Sequence, residues 1–404
     1  MKTRIFTEAA EEAAELLRRG GLVAVPTETV YGLAGNGLDA RAVERIYEVK
    51  GRPSIKPLSL MVPDAAAMER FCTEVPPQAR LLAKKFWPGP LTIVLKAKED
   101  IPPIVRAGGS TVGLRCPDHP LTLALLRKAD IPFAAPSANL SGQPSPKTAG
   151  EVLAVFDGVI EAVADGGECG IGTESTLISL AETPYRILRQ GALPREEIAD
   201  ALAEGMLLIG ITGGSGCGKT TALEVLSGLG AGIIDCDALY HELLVRDGEM
   251  LCELKERFPT AFDGDRPDRK ALGRLVFADE QALRDLNGIT HRHVSLAVRD
   301  RLREFAMEGR TVAAIDAIEL FGSGLDRLCT LTVAVTARRE KRIERIMTRD
   351  GISAEYAALR INAQHDEHYF VERATHILEN NGTPQEFSSE CRTYFTKEIS
   401  QWKI

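Results

Sequence analysis

The sequence predicts an α/β protein of two domains: a mixed α/β, twisted-sheet domain over residues 1–204, then a parallel sheet flanked by helices over 205–404. Three observations carry this. Strand-like and helix-like patterns alternate through both halves, separated by turn signals such as "WPGP", "AGGS" and "ADGGE". Runs apolar on both faces, "LLIGIT", "TVAAIDAI" and "LTVAV", all fall in the second half and suit a buried parallel sheet. Between the halves, "LPREEIADALAEG" reads as a short helix with proline and acids in its first turn, and Gly205 hands directly to Met206 and an apolar strand. With almost no linker, the two domains are expected to touch rather than swing freely.

In the first half the periodicity predicts helices over Ala9–Arg19, Ala40–Lys50, Gln78–Phe86 and Leu121–Lys128. Strands are predicted at Leu22–Pro26 and Leu58–Val62 and in "LTIVLKA", "VGLRCP", "FAAPSA", "STLISL" and "YRILRQG", too many for a simple doubly wound sheet. The second half opens as strand (Leu207–Thr212), glycine loop (Gly213–Gly218), helix (Lys219–Leu229) and strand (Ile233–Asp237). Helices are expected near Arg269–Phe277, Glu280–Asn287 and His293–Met307, strands at Val312–Ile318 and Leu331–Thr336, and a long helical region from Arg338 onward.

Composition narrows the function classes. Apolar residues make up 44% and charged residues 26%, and the net charge of -8 argues against bulk electrostatic capture of nucleic acid. No apolar run approaches the roughly 20 residues of a membrane helix, and the acidic, amphipathic N-terminus does not read as a secretory signal. Eight scattered cysteines without a C-x-x-C pair fit reduced thiols, so a cytoplasmic enzyme is expected, with no membrane or DNA partner. The histidine pairs His291/His293 and His365/His368 lack the neighbours of a metal site, and no tightly bound metal or organic cofactor is expected.

The segment "GGSGCGKTT" is G-x-x-x-x-G-K-[ST], with a strand before it and a helix after it. Gly213, Gly214, Ser215, Gly216, Cys217 and Gly218 would curl backbone amides around phosphates, Lys219 would neutralise the β- and γ-phosphates, and Thr220, followed by Thr221, would help hold Mg²⁺ with ATP. No N-K-x-D or "LSGGQ"-type segment occurs, which sets aside GTPases and transporter ATPases. Asp235 and Asp237 are placed at the end of the next strand, where an acceptor hydroxyl would meet the γ-phosphate; the competing reading is a helix cap.

"IGITGGSGCGKTT", "IIDCDALYHEL", "PDRKALGRLVF", "LNGITH", "GSGLD", "RIERIMTRDGIS", "RINAQ" and "ILENNG" together resemble dephospho-coenzyme A kinases over nearly all of 206–400. The resemblance implies a P-loop NTPase domain that phosphorylates the ribose 3′-hydroxyl of dephospho-CoA, with Asp237 as base or orienting carboxylate. It implies His241, Arg269 and His291 on the acceptor side, Arg345, Arg349, Arg360 and Gln364 in a lid that clamps the phosphates, and Asn380 near the adenine. Departures are "DAIELFG" (Asp316–Gly322) for the usual D-x-P-L-L-F-E, with Glu319 offering a replacement carboxylate, and Arg292 where a proline is common. The run "ARREKRIERIMTR" also reads as a plain solvated basic helix.

In the first half, Lys50, Arg52 and Lys56 cluster in a glycine-proline loop, a pattern suited to a polyanion. "APSANLSGQPS" adds Ser137, Asn139, Ser141 and Ser145 after a buried strand. With "PTETVYGL", "KPLSL", "TVGLRCPDHP", "GTEST" and "ILRQGAL", these residues resemble the YrdC/Sua5 family, in its short bacterial form, over about 1–200. The resemblance implies a YrdC-like domain that makes L-threonylcarbamoyladenylate and pyrophosphate from threonine, bicarbonate and ATP, feeding tRNA modification at adenosine 37. Lys50, Arg52, Lys56, Thr111, Ser137, Asn139, Ser145 and Arg189 would surround ATP, with Lys50 and Arg52 catalytic. Thr29, Arg115 and Ser175 would hold threonine. Met61 stands where relatives often carry histidine. The readings that compete are an RNA-binding module in the first half and a kinase for another acceptor, such as a nucleoside, in the second.

Overall fold

The computed structural model describes residues 2–402, the Phe277 side chain excepted. The chain forms two compact units that change over between Gly205 and Met206, with Met307–Gly309 grouping with the first. Among the described residues, no helix is long and apolar enough to cross a membrane.

The first unit holds β1 (Arg4–Phe6), β2 (Val23–Val25), β3 (Gly32–Asn36), β4 (Ser59–Met61), β5 (Leu91–Lys96), β6 (Thr111–Arg115), β7 (Phe133–Ala134), β8 (Ala162–Ala164), β9 (Thr176–Ser179) and β10 (Arg186–Arg189). They form one sheet in the order β1-β8-β2-β3-β7-β4-β6-β5-β9-β10. Pairing is mixed: β4 runs parallel to β6 and antiparallel to β7, and β5 the reverse, antiparallel to β6 and parallel to β9. Helices Glu11–Arg18 and Pro120–Ala129 bury Ala13, Leu17, Leu125 and Leu126 with Val23, Val25 and Phe133 of the sheet. Asp39 caps helix Ala40–Lys50, accepting from Arg41 N at 2.9 Å, and Gly51, at φ +57°, ends it in the left-handed region.

β1, β3 and β8 were not predicted. β3, Gly-Leu-Ala-Gly-Asn, has poor strand composition and is a strand because β2 and β7 pair with it on either side. β1 and β8, three residues each, pair with one another, and β8 pairs with β2 as well.

The second unit contains β11 (Leu207–Thr212), β12 (Gly232–Asp235), a small hairpin of β13 (Phe262–Asp263) and β14 (Arg266–Pro267), then β15 (Val312–Asp316), β16 (Leu331–Thr336) and β17 (His376–Glu379). The main sheet has the order β12-β15-β11-β16-β17 and every pair is parallel. β11 is buried along its whole length, as its unbroken apolar run requires. Helices Lys219–Gly228 and Pro384–Gln401 complete that core through Ala222, Leu226, Phe387 and Phe395.

Three expectations are corrected. The helices expected at Glu280–Asn287 and His293–Met307 are one helix, Glu280–Met307. Gly288 lies inside it, where a glycine costs about 1 kcal/mol relative to alanine and does not end the helix. The helical region expected from Arg338 is interrupted by β17, whose pairing with β16 completes the sheet. Finally, β12 ends at Asp235, so Asp237 lies in the first turn of helix Cys236–Arg246 rather than at the strand end.

Candidate active sites

In the second unit, the crevice outside the carboxyl ends of the parallel strands collects the polar groups. The glycine loop follows β11 and leads into helix Lys219–Gly228. Gly213 (φ +131°) and Gly218 (φ +103°) hold conformations that L-residues avoid; a Cβ on Gly213 would lie 2.2 Å from the Val335 carbonyl oxygen, and one on Gly218 2.0 Å from Asn380 Nδ2. Lys219 Nζ reaches back across the loop and donates to the Gly213 carbonyl at 3.0 Å. Thr220 follows, exposed, in the first helical turn.

A carboxylate row borders the loop. Asp235 is in register with Asp316, and Asp316 with Ile211 of β11. Asp235 Oδ1 accepts from Ala238 N at 2.9 Å, so this residue caps its helix, as the competing reading had it. Asp237 is exposed in that helix's first turn, and His241, exposed as well, follows one turn on along the same face. Asp316 Oδ1 is buried without a hydrogen-bond partner among the described residues. Burial, with Asp235 and Asp237 adding, pushes the Asp316 carboxyl up to about 6 against the pull of Lys219. An orphaned carboxylate oxygen beside a lysine-bearing phosphate loop fits a site for a hydrated divalent cation arriving with a nucleotide. Arg269 starts helix Arg269–Ala278, exposed. His291 is half-buried, and desolvation holds its imidazole below its usual range, opposed by Glu319.

The segment after β16 meets the loop from outside. Arg345 donates to the carbonyls of Gly216 and Cys217 at 3.3 and 3.4 Å, and to the Asn380 carbonyl and side-chain oxygens at 3.0 Å each. Asn380 Nδ2 donates to the Cys217 carbonyl at 2.9 Å. Both therefore brace the loop's own backbone in this structure. Arg349 and Arg360 converge on Asp350, at 2.7 and 2.6 Å, rather than on the loop. Gln364 grips Ser215, accepting from its amide and donating to its hydroxyl, each at 2.8 Å. The sequence reading missed Arg342, buried in helix Arg339–Asp350 with its Nε donating to the Ser215 carbonyl at 2.9 Å. Its signal was present: it lies four residues before Ile346, the other buried residue of that helix, on one stripe.

In the first unit a cavity of about 200 Å³ is walled by Arg52, Arg115, Ser137, Ser175 and Arg189 among the predicted residues, together with Met61 and Glu174. Arg115 Nη2 donates to Glu28 Oε1 at 2.7 Å and to Thr29 Oγ1 at 2.9 Å. Arg189 pairs with Glu174 and donates to the Ser175 carbonyl at 2.8 Å, while Ser145 Oγ donates to Glu174 at 3.1 Å. Desolvation holds Arg189 below its usual range. Glu28 and Glu174, the counter-charges of this site, were not singled out from the sequence, although both lie inside its motifs "PTETVYGL" and "GTEST".

Lys50 sits behind the wall. It is 2% exposed, and its ammonium donates to the backbone carbonyls of Ser137 and Asn139. Burial, then the neighbouring Arg52, lowers it to about 8. Arg52 Nη2 donates to the Pro57 carbonyl at 3.1 Å, and its Nε is buried without a partner among the described residues. Lys56 is exposed, and Thr111 starts β6 opposite Lys96, four residues or roughly 13 Å of strand from Arg115. Asn139 is held inside its loop, donating to the carbonyls of Leu140 and Gln143 at 2.9 and 2.6 Å.

A glycine loop on a parallel sheet, edged by carboxylates, defines the second unit as a P-loop phosphate-binding domain; the first is a mixed-sheet domain with an arginine-lined cavity. A family model described as telomere recombination, for Sua5, YciO and YrdC, matches residues 15–191, and one described as dephospho-CoA kinase matches residues 207–386. The threonylcarbamoyl-AMP synthase of Pyrococcus abyssi is 50% identical over 192 residues, 48% of this chain and 56% of that protein. The putative threonylcarbamoyl-AMP synthase of Methanocaldococcus jannaschii is 34% identical over 196 residues, 48% of this chain and 92% of that protein. The dephospho-CoA kinase of Anaeromyxobacter dehalogenans is 37% identical over 189 residues, 46% of this chain and 89% of that protein. The chain spans about half the length of the first synthases it matches, 52 to 56%. It belongs to the Sua5/YrdC family in its first unit and to the dephospho-CoA kinase family in its second.

Proposed function

We propose that the chain is a bifunctional enzyme. Its first unit joins threonine, bicarbonate and ATP into L-threonylcarbamoyladenylate, releasing pyrophosphate, for tRNA modification at adenosine 37. Its second transfers the γ-phosphoryl group of ATP to the 3′-hydroxyl of dephospho-CoA, giving coenzyme A, in the cytoplasm. The observation that supports this is that arginine side chains line a cavity in one unit and a glycine loop follows the buried parallel strand β11 in the other.

In the first site no nucleophilic side chain is required, because amine, bicarbonate and α-phosphate need alignment and charge stabilisation. Arg115 with Thr29 and Ser175 holds the threonine carboxylate; Arg52, Arg189 and Ser137 face the phosphates. Lys50 acts from behind by fixing the carbonyls of Ser137 and Asn139. In the second site Lys219 and the loop amides hold the β- and γ-phosphates, and Asp237 orients the acceptor hydroxyl and takes its proton. His241, Arg269 and His291 lie on the acceptor side. Mg²⁺ arriving with ATP supplies charge neutralisation, and Thr220 and Asp316 are the residues that would hold it, Asp316 through its unpartnered oxygen.

Two assays test the reading. Incubation with dephospho-CoA and ATP should give coenzyme A by mass; a phosphorylated nucleoside but no coenzyme A would replace the acceptor. Pyrophosphate release should require both threonine and bicarbonate; tight tRNA binding without such turnover would make the first unit an RNA-binding module.

A further inference from the structure

We propose that Arg342 recognises the terminal phosphate of ATP in the second unit, so that this site prefers a nucleoside triphosphate to a diphosphate. The proposal rests on the kinase reading for its ligand class, but not for its acceptor.

Arg342 is 7% exposed, and its Nη2 is buried with no hydrogen-bond partner among the described residues. The guanidinium lies against the glycine loop: a Cβ on Gly214 would fall 2.3 Å from Nη2 and 2.9 Å from Cζ. The backbone of its helix is as close, because a Cβ on Gly216 would fall 2.7 Å from the Arg342 carbonyl oxygen. Nε is already anchored, donating to the Ser215 carbonyl. Among the described residues Arg342 has no carboxylate partner; Asp350, on the same helix, is taken by Arg349 and Arg360.

A guanidinium is always charged in proteins, and a buried charge without a counter-ion is destabilising. Bracing Ser215 does not need that charge, since the neutral Gln364 grips the same residue through two hydrogen bonds. The unpartnered Nη2 therefore points to an anion that comes and goes. Its place on the loop selects which anion. Lys219 is anchored on Gly213, one residue from Gly214, and a lysine in this motif reaches the β- and γ-phosphates. Arg345 and Asn380 hold the other end of the loop, at Cys217. Arg342 is thus the second cation on the terminal-phosphate side.

The test is titration calorimetry of the full chain with Mg²⁺–ATP and with Mg²⁺–ADP. The component lost in Lys219→Ala reports the glycine loop and excludes nucleotide bound by the first unit. Arg342→Gln keeps a donor for the Ser215 carbonyl and removes the charge. It should weaken ATP in that component by about 10- to 100-fold and ADP by less than about threefold, as loss of one charge-assisted hydrogen bond to the third phosphate predicts. Arg342→Lys should recover part of the ATP preference. Equal weakening of ATP and ADP, or no change in either, overturns the proposal. Retained ADP binding doubles as the control for folding. Absence of any Lys219-dependent component removes this proposal and the kinase reading together. A normal component without coenzyme A formation removes only the acceptor assignment.

Discussion

At the scale of single residues, the first site is organised by a lysine that does not line its cavity. Lys50 is lowered from an ordinary value of 10.5 to about 8 because burial disfavours the ammonium. The sign follows from linkage. Below about pH 8 both folded and unfolded chains carry this proton, and the cost of burying it is felt in full. Between about 8 and 10.5 the unfolded chain holds more protons, so the stability attributable to Lys50 rises with pH. Lys50→Met should lack that dependence in its melting temperature. Function should run the other way. Deprotonation removes one of the three N–H donors that Lys50 offers to the Ser137 and Asn139 carbonyls and to Asn139 Oδ1, so threonine-dependent pyrophosphate release should fall as pH rises through about 8. A flat profile through that range would show that the ammonium is not what fixes the turn. The motif pointed to Lys50 but not to this task, because residue type and spacing indicate a cation without saying which oxygens it meets. Arg345 and Asn380 repeat the lesson: they were expected on ATP and are found on the loop that would hold it.

At the scale of elements, the glycine loop was legible almost to the residue, since β11 and the start of the helix at Lys219 fall where predicted. The reason is local: unusual φ values demand glycine, and an unbroken apolar run demands burial. Elements created by tertiary pairing were illegible, as with β3 and β17, whose strand character comes from their neighbours. Gly218→Ala tests the local argument. It would force a Cβ against Asn380 Nδ2 at an unfavourable φ, and should cost about 1–3 kcal/mol in chemical denaturation along with nucleotide binding by the loop. Full retention of both would mean that Asn380 can yield without loosening the loop.

At the scale of the whole molecule, each unit carries its own sheet, core and proposed anion site. Lys219→Ala should lower coenzyme A formation by at least about 100-fold while leaving threonine-dependent pyrophosphate release within about twofold of the parent chain. Loss of both in a folded variant would reveal coupling. Nucleotide titration of the parent chain should saturate at two equivalents, and a single equivalent would contradict the two-site reading. The sequence marks a boundary where a helix-ending glycine and a strand-opening apolar run abut at Gly205–Met206. Nothing comparable distinguished cavity-lining cations from buried ones.

The Arg115–Glu28 pair has a consequence for how the first site admits its ligand. Arg115 is not bare in this structure: Glu28 is tethered beside it at 2.7 Å and is itself steadied by the Asp118 amide at 2.9 Å. On the proposed reading, a threonine carboxylate would have to outcompete this resident one, and a stray anion with nothing else to offer would be turned away. Glu28→Gln should therefore let acetate or sulfate inhibit pyrophosphate release at lower concentrations than in the parent chain, trading discrimination for ease of entry.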